Sequence, residues 1–219
     1  IKTVKIVKQI KKGKTVISQK IPPSCYLRED VLQISKDLLG KYLITNFDQK
    51  ITVGKIVETE AYRAPDDKAC HAHLNRFTER TKIMFEAGGT AYIYLFYGIH
   101  HLFNIVTAPK GMAHAVLIRA VEPVENVNVM LQRRKFEKLK YNLTAGPGTL
   151  TKAFGISKKQ NGINLLDKKS PIWIEDRGEI VLEKNIIASP RVGVAYAEEC
   201  ALWDWRFRVK ESKWTSRAK

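Results

Sequence analysis

Glu58, Glu60 and Tyr62 alternate in the stretch Val57-Glu58-Thr59-Glu60-Ala61-Tyr62, and in an extended chain that spacing sets all three on one side. Two carboxyls beside a phenol could activate a water or carry a proton. Taken alone, alternating charge more often marks the solvent face of a strand, and this segment by itself favours that reading. A second cluster shifts the balance. Ala91-Tyr92-Ile93-Tyr94-Leu95-Phe96-Tyr97-Gly98 is followed closely by His100, His101 and Asn104. Tyr92 and Tyr94 share one strand face, where stacking on a flat base is worth about 1–3 kcal/mol per base. Half-buried strands use tyrosine as well. Tyr97 lies beside Gly98, where a turn is expected, and a ring at a turn tip can enter a duplex as a wedge.

Other chemistries find less support. Cys70-His71-Ala72-His73 and His100-His101 collect imidazoles, yet no HExxH or paired CxxC spacing gives a metal its ligands, so no metal is expected. Such histidines more often hydrogen-bond structurally or serve acid–base roles. Neither GxSxG nor GxxxxGK[ST] occurs, and no nucleophile for covalent catalysis stands out.

These residues need a scaffold. A chain of 219 residues suits one domain with one core. The 38 Lys+Arg against 22 Asp+Glu give a net charge of +16, a field that attracts polyanions. Nucleic acid is therefore the first partner to consider. An acidic membrane surface would also fit the charge, but no amphipathic helix or lipid anchor is evident. No apolar run approaches the ~20 residues of a membrane helix, and no signal-peptide pattern marks the chain for export, so an intracellular compartment is expected. Three widely spaced cysteines fit reduced thiols.

Residues 1–24 read as a basic, loosely ordered arm: seven lysines and no acid fall within the first twenty residues. The arm is either a phosphate-binding tail or a solubilising extension. Residues 25–219 form the expected domain. The pattern predicts a helix over Glu29–Leu39, a hairpin of Tyr42–Phe47 with Ile51–Tyr62, and a short helix from Thr78 through Phe85. Strands follow at Ala91–Phe96, His101–Thr107 and Ala115–Val121, then helices at Val124–Lys140 and Thr149–Phe154, then short strands. This mixed order predicts an α+β fold: a single compact domain with a curved antiparallel β-sheet flanked by helices.

Gly54-Lys55-Ile56-Val57-Glu58-Thr59-Glu60-Ala61-Tyr62, the Thr90–Gly98 segment, and Leu117-Ile118-Arg119-Ala120-Val121-Glu122-Pro123 together resemble the alkyladenine (methylpurine, or 3-methyladenine) DNA glycosylase family. Ala145-Gly146-Pro147 and Arg191-Val192-Gly193-Val194 extend the likeness across Tyr26 to Trp214. The resemblance implies that damaged purines in double-stranded DNA (3-methyladenine, 7-methylguanine, hypoxanthine, ethenoadenine) are flipped out and cut by hydrolysis. It implies no cofactor, no strand-cleaving lyase step, and action as a monomer away from membranes, in a bacterial cytoplasm or nucleoid or a eukaryotic nucleus. By the same likeness Glu60 activates water, with Arg119 and the Val192 carbonyl holding it. Tyr62, His71 and Tyr94 sandwich the base, Asn104 penalises the guanine amino group, and Tyr97 intercalates into the DNA. The chain departs from the family pattern at Ala72–Phe77, at Thr81 where Asn is common, at Gly88 where proline is usual, and at His100 beside the wedge. A DNA-binding relative without activity, or an enzyme of related fold with another substrate, stays open as an alternative.

Overall fold

The computed structural model describes residues 9–11, 14–16 and 18–217. In chain order its strands are β1 (Gln9–Lys11), β2 (Lys14–Val16), β3 (Gln19–Lys20), β4 (Tyr42–Phe47), β5 (Lys50–Arg63) and β6 (Ala91–Phe96). They continue with β7 (His100–Thr107), β8 (His114–Glu125), β9 (Ile172–Asp176), β10 (Ile186–Ser189) and β11 (Arg206–Val209). The helices are α1 (Pro23–Tyr26), α2 (Val31–Asp37), α3 (Val127–Arg134) and α4 (Pro147–Phe154).

β5 organises the molecule. Its β-branched residues suit a strand, and its buried positions follow one another without alternation, as expected where both faces of a sheet are covered. Asp48 and Gln49, at φ +52° and +61°, make the two-residue turn that lets β4 pair back on it, a turn whose twist matches that of the strands. β5 carries β8 on its other edge, β4 beside its first half and β11 beside Glu58–Glu60. The order β3-β9-β4-β5-β8-β7-β6, with β10 and β11 attached through β5, gives a nine-stranded antiparallel sheet. Register shifts between Val53 and Gly54 and around Glu58 are bulges that bend and twist the strand. The α+β fold expected from the sequence is the one observed.

Part of the basic arm is structured. β1 and β2 pair with each other, and β3 adds to the sheet edge on β9; residues 1–8, 12, 13 and 17 of the expected arm lie outside the described residues.

α2 is shorter than the predicted Glu29–Leu39, because the Asp30 side chain accepts from the Gln33 amide at 2.9 Å and sets the start there. The helix predicted over Val124–Lys140 is corrected more severely. β8 continues to Glu125, paired with Val53 across Pro123, and α3 is confined between Asn126 and Lys135, both left-handed. Sheet pairing outweighs helix propensity at the start, and the left-handed Lys135 stops it at the end. The helix expected from Thr78 is a 3-10 turn, Lys82–Phe85. There the Thr81 hydroxyl accepts from the Thr78 amide and donates to the Arg76 carbonyl, local side-chain bonds that compete with a regular helix.

The main core joins Ile34, Leu38 and Leu39 behind α2 to Ile56, Phe103, Ile118 and Val121 of the sheet and to Leu150 and Phe154 of α4. Each such side chain contributes about 1.5–3 kcal/mol on burial. Gly54 lets α4 approach. A Cβ there would stand 2.7 Å from both Phe154 Cζ and Val121 Cγ2.

Candidate active site

Strand alternation puts Val57 and Ala61 in the apolar interior, and turns the Thr59 hydroxyl to the Ser35 carbonyl of α2. Glu58 and Glu60 go to the opposite face, as predicted. That face is not solvent: both residues are 0% exposed, and the exposed-strand reading is overturned. Arg119 from β8 and Arg206 from β11 reach across it. Glu58 Oε1 accepts from Arg119 Nε at 2.9 Å, Arg206 Nε at 2.7 Å and Ser216 Oγ at 2.8 Å, while Oε2 accepts from the Ser216 amide at 2.5 Å. Burial alone would raise this carboxyl, yet Arg119, the Ser216 amide and Arg206 hold it below its ordinary value.

Glu60 is arranged differently. Its Oε2 accepts from the Tyr62 hydroxyl at 2.8 Å and Arg119 Nη1 at 3.2 Å, and its Oε1 from the Val192 amide at 2.8 Å. Val192, expected through its carbonyl, thus reaches Glu60 through its N–H. Burial opposes the Arg119 charge, but Glu60 and Glu58 outweigh it and raise the guanidinium above its ordinary value. Burial and the Glu60 carboxylate push the Tyr62 phenol well up, so it stays a donor.

Glu60 and Arg119 border a cavity of about 390 Å³ that Tyr62, His71, Tyr94, Tyr97, Asn104 and Val192 also line. Every residue predicted for the site therefore meets in one place, of a size common for ligand cavities. His71 and Tyr94 touch edge to face at 4.6 Å between ring centres, which makes them one wall and leaves no room for a base between them. Tyr92, on the same strand face as Tyr94, stands behind, with its hydroxyl 2.8 Å from His71 Nδ1. Asn104 is buried and donates through Nδ2 to the Tyr92 carbonyl at 3.1 Å.

The second His71 nitrogen fixes the tautomer. Arg80 Nη2 lies 3.1 Å from Nε2, and a guanidinium only donates, so Nε2 accepts and the neutral ring carries its proton on Nδ1. Burial, then Arg80, lowers His71 to about 4, so the ring is neutral at physiological pH. The Arg80 guanidinium also sits 5.0 Å over the Tyr94 ring.

Tyr97 is 83% exposed at the tip of the β6–β7 turn, at φ +48° beside Gly98 at +69°. A non-glycine residue held there stores about 1–3 kcal/mol of strain, a cost that recurs at functional positions. Ile99 and Leu95 are exposed beside it.

Of the atypical positions, His100 lines the cavity, while Gly88 packs against Tyr26 away from it. Leu74 and Asn75 take positive φ, and Phe77 is exposed against Phe85. At Gly88 a Cβ would lie 2.4 Å from the Tyr26 carbonyl oxygen, so the backbone passage there fits no side chain. The His100 ring packs on Gly148, where a Cβ would meet it at 2.7 Å.

Some supporting residues were not foreseen. Asp67 and Arg191 form a wholly buried bidentate pair at 2.5 and 2.8 Å, and Arg191 also donates to the carbonyls of Ala61 and Cys200. Its guanidinium lies 4.8 Å over the Tyr62 ring, so it sets both that ring and the loop that brings Val192. Nothing local in the sequence marks a pair 124 residues apart. Arg80 had only its place beside Thr81.

Another cavity, of about 320 Å³ between α2 and the 179–186 segment, is walled by Arg28, Asp37, Lys36 and Glu183 and holds none of these residues. Among the described residues no group of three or more His, Cys, Asp or Glu could hold a metal, and no helix is long and apolar enough to cross a membrane.

A family model described as methylpurine-DNA glycosylase matches residues 25–213. A protein of Chlamydia felis is 43% identical over 196 residues, covering 88% of this chain and 98% of its own. One of Clostridium novyi is 45% identical over 199 residues, covering 88% and 96%, and one of Bacillus cereus is 43% identical over 202 residues, covering 90% and 98%. All three bear the name "Putative 3-methyladenine DNA glycosylase".

Proposed function

Because the chain belongs to the methylpurine-DNA glycosylase family, we propose that it removes alkylated or deaminated purines from duplex DNA by hydrolysing the N-glycosidic bond, the first step of base excision repair. The observation that carries this reading is the buried Glu60 carboxylate, oriented by three donors at the edge of an aromatic cavity.

A purine stacked in a duplex hides its glycosidic bond, so the nucleotide must leave the helix at a cost of a few kcal/mol. Tyr97, exposed at its turn tip, fills the gap it leaves. The base enters the cavity with the His71–Tyr94 wall on one side and Tyr62 on the other. Asn104 stands at its edge and disfavours the amino group of normal guanine. Both His71 nitrogens are engaged by Tyr92 and Arg80, so a hydrogen bond from His71 to the base or sugar requires Arg80, the exposed partner, to give way. As the bond to the base lengthens, the sugar gains oxocarbenium character. Glu60 stabilises that charge and takes a proton from water, which Arg119 and the Val192 carbonyl hold. Water, not an amine, attacks C1′, so no Schiff base forms and the strand is not cut.

The test is base release from duplex oligonucleotides carrying 3-methyladenine, 7-methylguanine, hypoxanthine or ethenoadenine. Release of none by the wild-type protein refutes the function. Glu60→Gln should slow release by about 10²–10⁴-fold, the usual worth of a positioned base, and full activity in that variant refutes the water assignment.

A further inference from the structure

On the far side of the Arg191–Val194 loop from the base cavity lies a second cavity of about 590 Å³, and the two share Gly193 and Val194 as a common wall. Arg191, Arg206, Arg208 and Arg217 line it, with the hydroxyls of Ser189 and Ser216, and among the described residues no carboxylate does. The four arginines are not equally neutralised. Arg191 is matched by Asp67, and Arg206 is held by Glu58. The Arg208 side chain forms no salt bridge among the described residues, although the Glu58 charge acts on it: its one side-chain hydrogen bond there is a long 3.5 Å contact to Ser189 Oγ, and its buried Nε has none. Arg217 is exposed at the rim.

A buried guanidinium nitrogen without an acceptor is costly, and the Arg208 side chain that carries it lines a cavity large enough for a tetrahedral anion. Guanidinium groups and hydroxyls are the donors that phosphate oxygens take, often in pairs. Burial, then the nearby Arg206, push Arg208 below its ordinary value, with the Glu58 carboxylate opposing them.

We propose that this arginine cavity is a second DNA contact, which takes a backbone phosphate of the strand whose base enters the first cavity, with Arg208 and Arg217 as its cationic ligands. The shared wall argues for a strand over a free anion. Phosphates recur every ~3.4 Å of helix axis along each strand, so a strand that delivers a base to one side of the loop carries phosphates past its neighbour. The proposal rests on the DNA reading above, but not on catalysis.

The experiment is binding of an undamaged duplex, followed by fluorescence anisotropy from low to moderate salt, for the wild type, Arg208→Gln, Arg217→Gln and Arg208→Lys. Each Gln variant should flatten the log-affinity against log-salt slope by about 0.9 per lost phosphate contact, so that a four-fold rise in salt weakens it about three-fold less than wild type. Arg208→Lys, which keeps the charge, should retain the slope. Arg217 is exposed, so its variant reports even if Arg208→Gln fails to fold. In parallel, inorganic phosphate is titrated against the melting temperature of wild type and Arg217→Gln. Unchanged slopes in the Gln variants overturn the proposal. So does phosphate stabilising only the wild type while the duplex slopes stay equal, which would make a free anion the ligand. Failure of the catalytic reading shows separately, as absent base release by a wild type that still binds duplex.

Discussion

Glu58→Gln removes one charge from a buried cluster of two carboxylates and two guanidiniums, Glu58 and Glu60 with Arg119 and Arg206. The magnitude follows from the geometry. The amide keeps one acceptor oxygen for Arg119 Nε, Arg206 Nε and Ser216 Oγ, and its NH2 then faces the Ser216 amide, donor against donor. A buried donor left unpaired costs about 1–3 kcal/mol, and an uncompensated buried charge about 3–5 kcal/mol. The two overlap, and about 4 kcal/mol is expected in sum. For a chain of this length a kilocalorie moves Tm by about 2–4 °C, so Tm should fall by about 8–16 °C.

Thermal unfolding followed by circular dichroism measures it, and pH gives an internal control. The folded-state pKa of Glu58 lies below its ordinary 4.5. Its stabilisation is therefore present above the unfolded pKa and lost as pH falls through the lower folded value. The gap between wild type and variant should be full at neutral pH and narrow as pH falls below 4.5, closing only below the lower folded value. A fall in Tm of less than about 2 °C at neutral pH, or a gap that widens on acidification, would refute the assignment of Glu58 as the anchor of both arginines.

Three further outcomes follow from the same coordinates. Tyr97→Gly relieves the strain of φ +48° and removes a ring that is mostly in solvent, so Tm should equal or exceed that of wild type while the fluorescence rise of a flipped base analogue in duplex DNA is lost; an unchanged rise counts against the wedge. In Arg80→Ala, the His71 midpoint, read by NMR, should move up from about 4 because a cation is withdrawn, and the ring should no longer be confined to the Nδ1–H tautomer at neutral pH; an unmoved midpoint and tautomer would remove Arg80 from that role. Gly54→Ala forces a Cβ to within 2.7 Å of Phe154 and Val121 and should destabilise by about 1–3 kcal/mol in urea unfolding, an idea that an unshifted midpoint would sink.

The sequence revealed faces better than it revealed burial. Alternation put Glu58, Glu60 and Tyr62 on one side of a strand and Tyr92 with Tyr94 on another, and the Tyr97-Gly98 pair marked the turn, because strand geometry is local and has a fixed period. Whether that side meets water is decided by what crosses it. The groups that bury Glu58, Arg206 and Ser216, lie 148 and 158 residues away, beyond any local pattern. The same distance hid Asp67 and Arg191. Where helix and strand compete, at Val124–Glu125, local propensity favoured the helix and pairing with β5 decided otherwise.

The buried charges also explain why the site is built on β5 instead of on a loop. Ion pairs removed from water are a poor source of stability, since apolar replacements of similar volume usually do as well, so their use here points to position. Glu58 takes the Nε atoms of both arginines, and Arg119 is thereby held with its Nη1 turned to Glu60. The Glu60 carboxylate is then fixed from three directions by groups on three different segments: Tyr62 on β5, Arg119 on β8 and the Val192 loop. The loop is itself tied down by Arg191 to Asp67 and to the Ala61 carbonyl. A carboxylate held this way need not reorganise when positive charge develops beside it, and preorganisation of that kind is where an enzyme gains over water. An exposed side chain lies opposite: Arg80 crosses the Tyr94 ring and holds the outer nitrogen of His71. Under the proposed function, the half of the cavity fixed by buried pairs would serve the sugar and its water, and the half closed by the exposed Arg80 would meet the base.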